Sequence, residues 1–204
     1  MKNLLLILFC LSTPFFITAQ ETVKQKEVGL SFHNLDNFGI AFKTGTAKAL
    51  WRFNTLFISG GERDEISDSS EFKQSSSGFG VGFGRENRKE IGKNIELRYG
   101  IDLFFSYSKS LFDNNSKRVN YYDLLQEIET YRQGINLVFG FNYVINESIV
   151  LGAELLPSLY YVTGTSIVKR DDNYNGEQVD ESDITGFEYG LSNNSARLSV
   201  SYRF

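Results

Sequence analysis

Apolar side chains recur at every second position over stretches much longer than an ordinary strand. Ile95, Leu97, Tyr99, Ile101, Leu103, Phe105 and Tyr107 form one series, with Glu96, Arg98, Gly100, Asp102, Phe104 and Ser106 between them. Ile135, Leu137, Phe139, Phe141, Tyr143 and Ile145 form a second, against Gly134, Asn136, Val138, Gly140 and Asn142. A period of two marks a pleated strand whose two faces meet different surroundings. Soluble strands average ~5–6 residues, and these runs are about twice that length. A strand tilted across a bilayer needs ~9–11 residues.

Other segments repeat the pattern. Val28, Leu30 and Phe32 alternate with Gly29, Ser31 and His33, and Phe38, Ile40 and Phe42 with Gly39, Ala41 and Lys43. Trp51, Phe53 and Phe57 are set against Arg52 and Asn54, and Phe79, Val81 and Phe83 against Gly78, Gly80, Gly82 and Gly84. Ile149, Leu151, Leu155, Leu159 and Tyr161 alternate with Gly152, Glu154 and Ser158, and the chain closes on Leu198, Val200, Tyr202 and Phe204. Phe187, Tyr189 and Leu191 stand in the opposite phase to Leu198 and Val200. A bulge in one long final strand, or a tight turn, is therefore expected within Ser192–Ser195. Aromatics at 15%, 18 glycines and only two prolines suit long strands in close contact.

Connections alternate in length. Gly45-Thr46, Asn87 to Lys93 and Asn146-Glu147 read as short turns. Gly60 to Gln74, Lys109 to Thr130 and Gly164 to Asp183 read as three long polar loops. With Asn34–Asn37 as a first loop on the long-loop side, the count is eight antiparallel up-and-down strands in a closed barrel. An even strand number, short turns on one side and long loops on the other describe bacterial outer-membrane barrels.

Volume decides which face is outside. The apolar set is mostly Phe, Tyr, Leu and Ile, too bulky for the interior of eight strands, while the alternate set is rich in Gly, Ser and Asn. The small face also carries Lys43, Arg52, Arg98 and Arg197 with Glu96, Asp102, Glu154 and Glu188, so an ion-pair network is expected to fill the lumen. A soluble periplasmic ligand-binding barrel would invert this arrangement.

The start of the chain agrees with export. Met1-Lys2-Asn3 is positive, Leu4 to Ile17 is apolar, and Thr18-Ala19-Gln20 offers small residues for cleavage, so residues 1–20 read as a signal peptide and 21–204 as the barrel domain. Cleavage after Ala19 or after Gln20 fits equally. Cys10, the sole cysteine, lies inside the apolar run, and bulky Phe9 before it argues against lipidation. A net charge of −4 gives nucleic acid nothing to bind.

The last strand ends in Tyr202-Arg203-Phe204, which resembles the C-terminal signal read by the outer-membrane assembly machinery, with Ser199 where glycine is common. As a whole the mature chain resembles the small eight-stranded outer-membrane barrels termed porin-like. The resemblance is architectural and implies outer-membrane lipids and the assembly machinery as partners. It leaves the ligand of the exposed loops unnamed.

Reactive constellations are sparse. His33, with Ser31 two residues away, is the one candidate for an outer-membrane lipid-modifying enzyme. No nucleophile motif accompanies it, and a polar residue near the rim is the simpler reading. Asp171-Asp172-Asn173-Tyr174-Asn175-Gly176 begins like a calcium loop, but Ser182 stands where its bidentate acid belongs, so an Asx-rich turn is expected. Gly78 to Gly84 precedes no helix and has no phosphate-binding lysine. Tyr121, Tyr122 and Phe112 lie in the middle loop, either as binding aromatics or as its own packing. No cofactor, metal or catalytic residue is assigned. The expected role is structural or surface interaction, with a lipid-modifying enzyme or a small diffusion pore as alternatives.

Overall fold

The computed structural model describes residues 24–32, 38–68, 70–116, 123–172, 176–191 and 195–204. All of its regular structure is antiparallel β-sheet. The strands are β1 (Lys24–Phe32), β2 (Phe38–Thr46), β3 (Ala49–Ile66), β4 (Ser70–Gly92), β5 (Ile95–Ser116), β6 (Asp123–Ile145), β7 (Ile149–Leu155), β8 (Ser158–Asp172), β9 (Gly176–Gly190) and β10 (Ala196–Arg203). Eight of these, β1 to β7 and β10, pair in a ring that closes between β10 and β1. The up-and-down barrel expected from the alternation is the one found.

Two breaks explain why ten strands make eight spans. Leu155 faces Phe139 and Ser158 faces Asn136, so β7 and β8 continue one line along β6 without gaining or losing a residue. Pro157 interrupts the ladder there because it has no N–H to give. Its carbonyl still accepts from the Leu137 N–H at 2.8 Å. Along the final span, Gly190 faces Ser158 while Ala196 faces Leu155: six steps on one strand against three on the other. An odd surplus flips the outward phase from Phe187 and Tyr189 to Leu198 and Val200. The phase change read from the sequence thus falls between Gly190 and Ala196, with residues 192–194 outside the described set.

A smaller bulge sits between Thr55 and Phe57. It puts Ile58, 83% exposed, opposite outward Phe79, and Phe57 opposite Gly80. The single phase Trp51–Phe53–Phe57 expected from the sequence is corrected accordingly.

The three expected long loops are largely strand, which is the main correction to the sequence reading. β3 runs to Ile66 and β4 starts at Ser70; β5 runs to Ser116 and β6 starts at Asp123; β8 ends at Asp172 and β9 begins at Gly176. These ladders hold without an apolar face because their side chains pair across strands. The Ser108 and Thr130 hydroxyls meet at 2.7 Å, Lys109 donates to Glu129 at 2.9 Å, and Arg170 donates to Asp180 at 2.8 Å. With water on both faces nothing imposes alternation, so a period search reads them as loop.

The molecule therefore has two levels. The ring is short on one side, where β1 and β2 have 9 residues each, β7 has 7 and β10 has 8. The other strands rise past it as a six-stranded wall, β3–β4–β5–β6–β8–β9. Among the described residues, the outer edges of β9 and of β3 beyond Asn54 pair with no further strand. Termini and tight turns share the opposite end. There Asn94 (φ 65°), Asn146 (φ 49°) and Glu147 (φ 61°) take the left-handed conformation that two- and three-residue hairpin turns demand.

Packing is inside out relative to a soluble domain. Leu103, Phe139, Phe141 and Leu198 are among many large apolar residues left more than half exposed on the outer surface. The largest fully buried side chains are Arg52 and Arg98. Tyr and Trp edge the outward apolar band, with Trp51, Tyr143 and Tyr202 toward the short-turn end and Tyr107, Tyr131 and Tyr161 toward the other. Trp51 stacks on Phe83 at 5.2 Å, and the Arg85 guanidinium lies over the Trp51 ring. An apolar belt between aromatic girdles is the outer surface of a membrane barrel.

Candidate functional site

The lumen is built by the same alternation that makes the belt. Wherever an apolar residue points out, its neighbour points in, and the inward set carries charge on seven of the eight ring strands and the amide of Asn142 on β6. Glu86 on β4 lies at the centre, fully buried. Its carboxylate accepts from Lys43 Nζ of β2 at 3.0 Å, from Arg52 Nη1 of β3 at 3.1 Å and from Arg88 Nε at 2.6 Å. Above it, Glu154 of β7 takes both Nη atoms of Arg52 at 3.0 Å, bonds to Arg98 of β5 and faces Arg197 of β10 at 3.3 Å. Asp102 adds a contact to Arg52 Nε at 3.3 Å.

Below, toward the short-turn end, Arg88 grips the Glu27 carboxylate of β1 through two nitrogens at 2.6 and 2.7 Å. Arg203 bridges Glu27 at 2.8 Å and Glu96 at 2.9 Å. Asn142 of β6 ties the layers together, accepting from Arg98 and donating to Glu96, each at 3.0 Å. All eight ring strands thus contribute a side chain to one connected network. Glycine makes room for it: a Cβ on Gly152 would lie 2.9 Å from Arg98 Nη1.

Burial on this scale requires the pairing. An isolated charge removed from water costs several kcal/mol, which only close opposite charge and satisfied hydrogen bonds offset. The arrangement has the chemical character of a plug. Its glutamates Glu27, Glu86 and Glu154 are occupied by guanidinium and ammonium groups, while Asp102 keeps one oxygen without a hydrogen-bond partner among the described residues.

Of the eight charges singled out from the sequence, Lys43, Arg52, Glu96, Arg98, Asp102, Glu154 and Arg197 are brought together here. Glu188 stands apart, half exposed on β9 with Arg132 at 4.0 Å. Four charged partners were not singled out: Glu27, Glu86, Arg88 and Arg203. The signal for Glu27 and Arg203 was their phase, since each shares the inward parity of Ser31 or Ser201. Glu86 and Arg88 continue the Gly78–Gly84 parity, but Asn87 to Lys93 read as a connection, whereas β4 extends to Gly92. His33, Tyr121 and Tyr122 lie outside the described residues, as does the signal segment. Asp171 and Gly176 flank a hairpin end whose middle, 173–175, is likewise outside them.

No protein-family model matches the sequence, and a search of curated proteins gave no match. Among solved structures, a major outer membrane protein from Thermus thermophilus superposes with a TM-score of 0.54 at 12% identity. That alignment takes in 89% of this chain and 100% of the other. The fold is that of an outer-membrane β-barrel. A looser match is CarO of Acinetobacter baumannii, with a TM-score of 0.38, 14% identity, and 88% and 96% of the two chains covered. At 12% identity the likeness to the Thermus protein is one of fold.

Proposed function

We propose that the chain is an exported, integral barrel of a bacterial outer membrane, closed to solute flow, whose work is structural or surface interaction through the hairpins beyond the ring. The buried ion-pair network, joined by Asn142 of β6, carries this reading. Filling an eight-stranded lumen with interlocked guanidinium and carboxylate groups leaves no continuous water path. The outward belt supports membrane residence, and the positive-then-apolar start of the sequence supports export. The proposal includes no catalytic step. Its partners are outer-membrane lipids, the assembly machinery at Tyr202 and Phe204, and an extracellular ligand at the hairpins.

Planar-bilayer recording of the purified barrel tests it. The unmodified protein is expected to show no steady conductance, and Arg52→Ala combined with Glu154→Ala is expected to raise it by removing two members of the network. A large, steady, ion-selective current from the unmodified protein would make a diffusion pore the function instead.

A further inference from the structure

The outward belt is not uniform, and a recess in it follows the strand register. Leu97 of β5 faces Phe141 of β6, Phe141 faces Ala153 of β7, Ala153 faces Leu198 of β10, and Leu198 faces Phe32 of β1. In the adjacent row Phe139 faces Leu155, which faces Ala196. Bulky side chains flank the two rows, and the alanines interrupt them. Between them lies a groove of about 680 Å³. The polar residues beneath it, Glu154 and Arg197, turn their side chains into the lumen and are 4% exposed, so the groove presents hydrocarbon.

Its course matters as much as its lining. It begins two residues from the start of β5, at the short-turn end, and finishes at the last residue of β1, at the hairpin end. Five strands give four spacings of ~4.8 Å, a length of about 19 Å. With strands tilted ~45°, that slant covers about 13 Å of depth, close to half of a ~30 Å hydrocarbon core.

Building on the membrane reading above, we propose that this groove is a binding site for one acyl chain of an outer-leaflet lipid, with the headgroup at the Phe32 end. The groove is recessed within the belt and continuous with it, so hydrocarbon reaches it without crossing water. Its volume is that of small-molecule sites, ~300–1,000 Å³. A second copy of the chain would need ~800 Å² of matched surface on each partner, which a narrow slot does not offer. Filling the alanines should remove the site while sparing the lumen.

The test is native mass spectrometry of the full-length barrel in mild detergent, titrated with palmitoyl-oleoyl-phosphatidylethanolamine. The unmodified barrel is expected to retain one tightly held lipid, and Ala153→Phe with Ala196→Phe to lose it at least tenfold. Val81→Phe, which adds bulk on the outward face of β4 away from the groove, should retain it. If the double variant does not fold, Ala153→Val and Ala196→Val made singly should each weaken retention. Heat-modifiable gel mobility reports folding in every case. No retained lipid on the unmodified barrel, or equal retention by filled and unfilled barrels, overturns the acyl site. Membrane residence and closure would then still stand, because they are read from fractionation and conductance. A native chain found folded in the soluble fraction overturns both.

Discussion

Glu86 shows what a single side chain does in this architecture. It is fully buried and answers four cations, Lys43, Arg52 and Arg88 through hydrogen bonds and Arg98 at 4.0 Å. Glu86→Gln keeps the shape and removes the charge, leaving those cations one counter-charge short inside a closed lumen. Breaking a buried pair from one side costs about 3–5 kcal/mol. A lower urea midpoint for the refolded barrel in lipid vesicles is therefore expected, partly restored when Lys43→Met is added. An unchanged midpoint would mean that water reaches Glu86 and the lumen is not sealed. A paired contrast tests the two faces. Leu137→Arg puts a charge among hydrocarbon at a cost of about 2–4 kcal/mol near the midplane. Asn136→Asp, its inward neighbour, changes charge within the lumen. Membrane-fraction yield should fall sharply for the first and little for the second; similar yields would reverse the assignment of faces.

Among the strands, legibility followed the surroundings. Where one face meets hydrocarbon and the other the lumen, alternation is enforced residue by residue, and Ile95–Tyr107 or Ile135–Ile145 could be read directly. Where both faces meet water, as along Gly60–Ile66 or Gly176–Asp183, polarity alone was visible and the ladder was not. The plug was partly legible for the same reason. Arg52, Arg98 and Glu154 sit between recognisable apolar neighbours, whereas Glu86 and Arg88 follow Arg85, an outward charge that ends the apolar series before the strand ends. The last span carries a further consequence. β10 closes the ring by pairing with β1 and β7, and Phe204 exchanges backbone hydrogen bonds of 2.9 Å with Lys26 in both directions. Phe204→Ser should leave those bonds possible while removing the terminal aromatic that assembly is proposed to read. Less folded protein in the outer membrane, with normal refolding of purified chain in vesicles, is the expected pair of results. Equal membrane levels would dismiss the recognition role.

For the whole molecule, the ring and the wall differ in how they are held. Each ring strand has neighbours on both sides, a buried charged interior and an apolar exterior, so closure is cooperative around the circle. The wall above it is an open sheet whose hairpins are stabilised by ladders and exposed polar pairs, contributions of a few tenths to about 1 kcal/mol each. Among the described residues β9 pairs with β8 alone, and it is exposed on both faces for most of its length. Stability should therefore reside in the ring, and the hairpins should be separable from it. Replacing residues 60–77 by a short Asn-Gly turn removes the upper β3–β4 hairpin above outward Ile58 and Phe79 while leaving every ring residue in place. The trimmed chain is expected to insert, to keep its heat-modifiable mobility and to keep a urea midpoint close to that of the parent, while losing whatever surface interaction that hairpin supports. A trimmed chain that no longer inserts, or whose midpoint drops as far as that of Glu86→Gln, would show that the wall props the ring. The hairpins would then be part of the barrel's stability rather than appendages available for recognition.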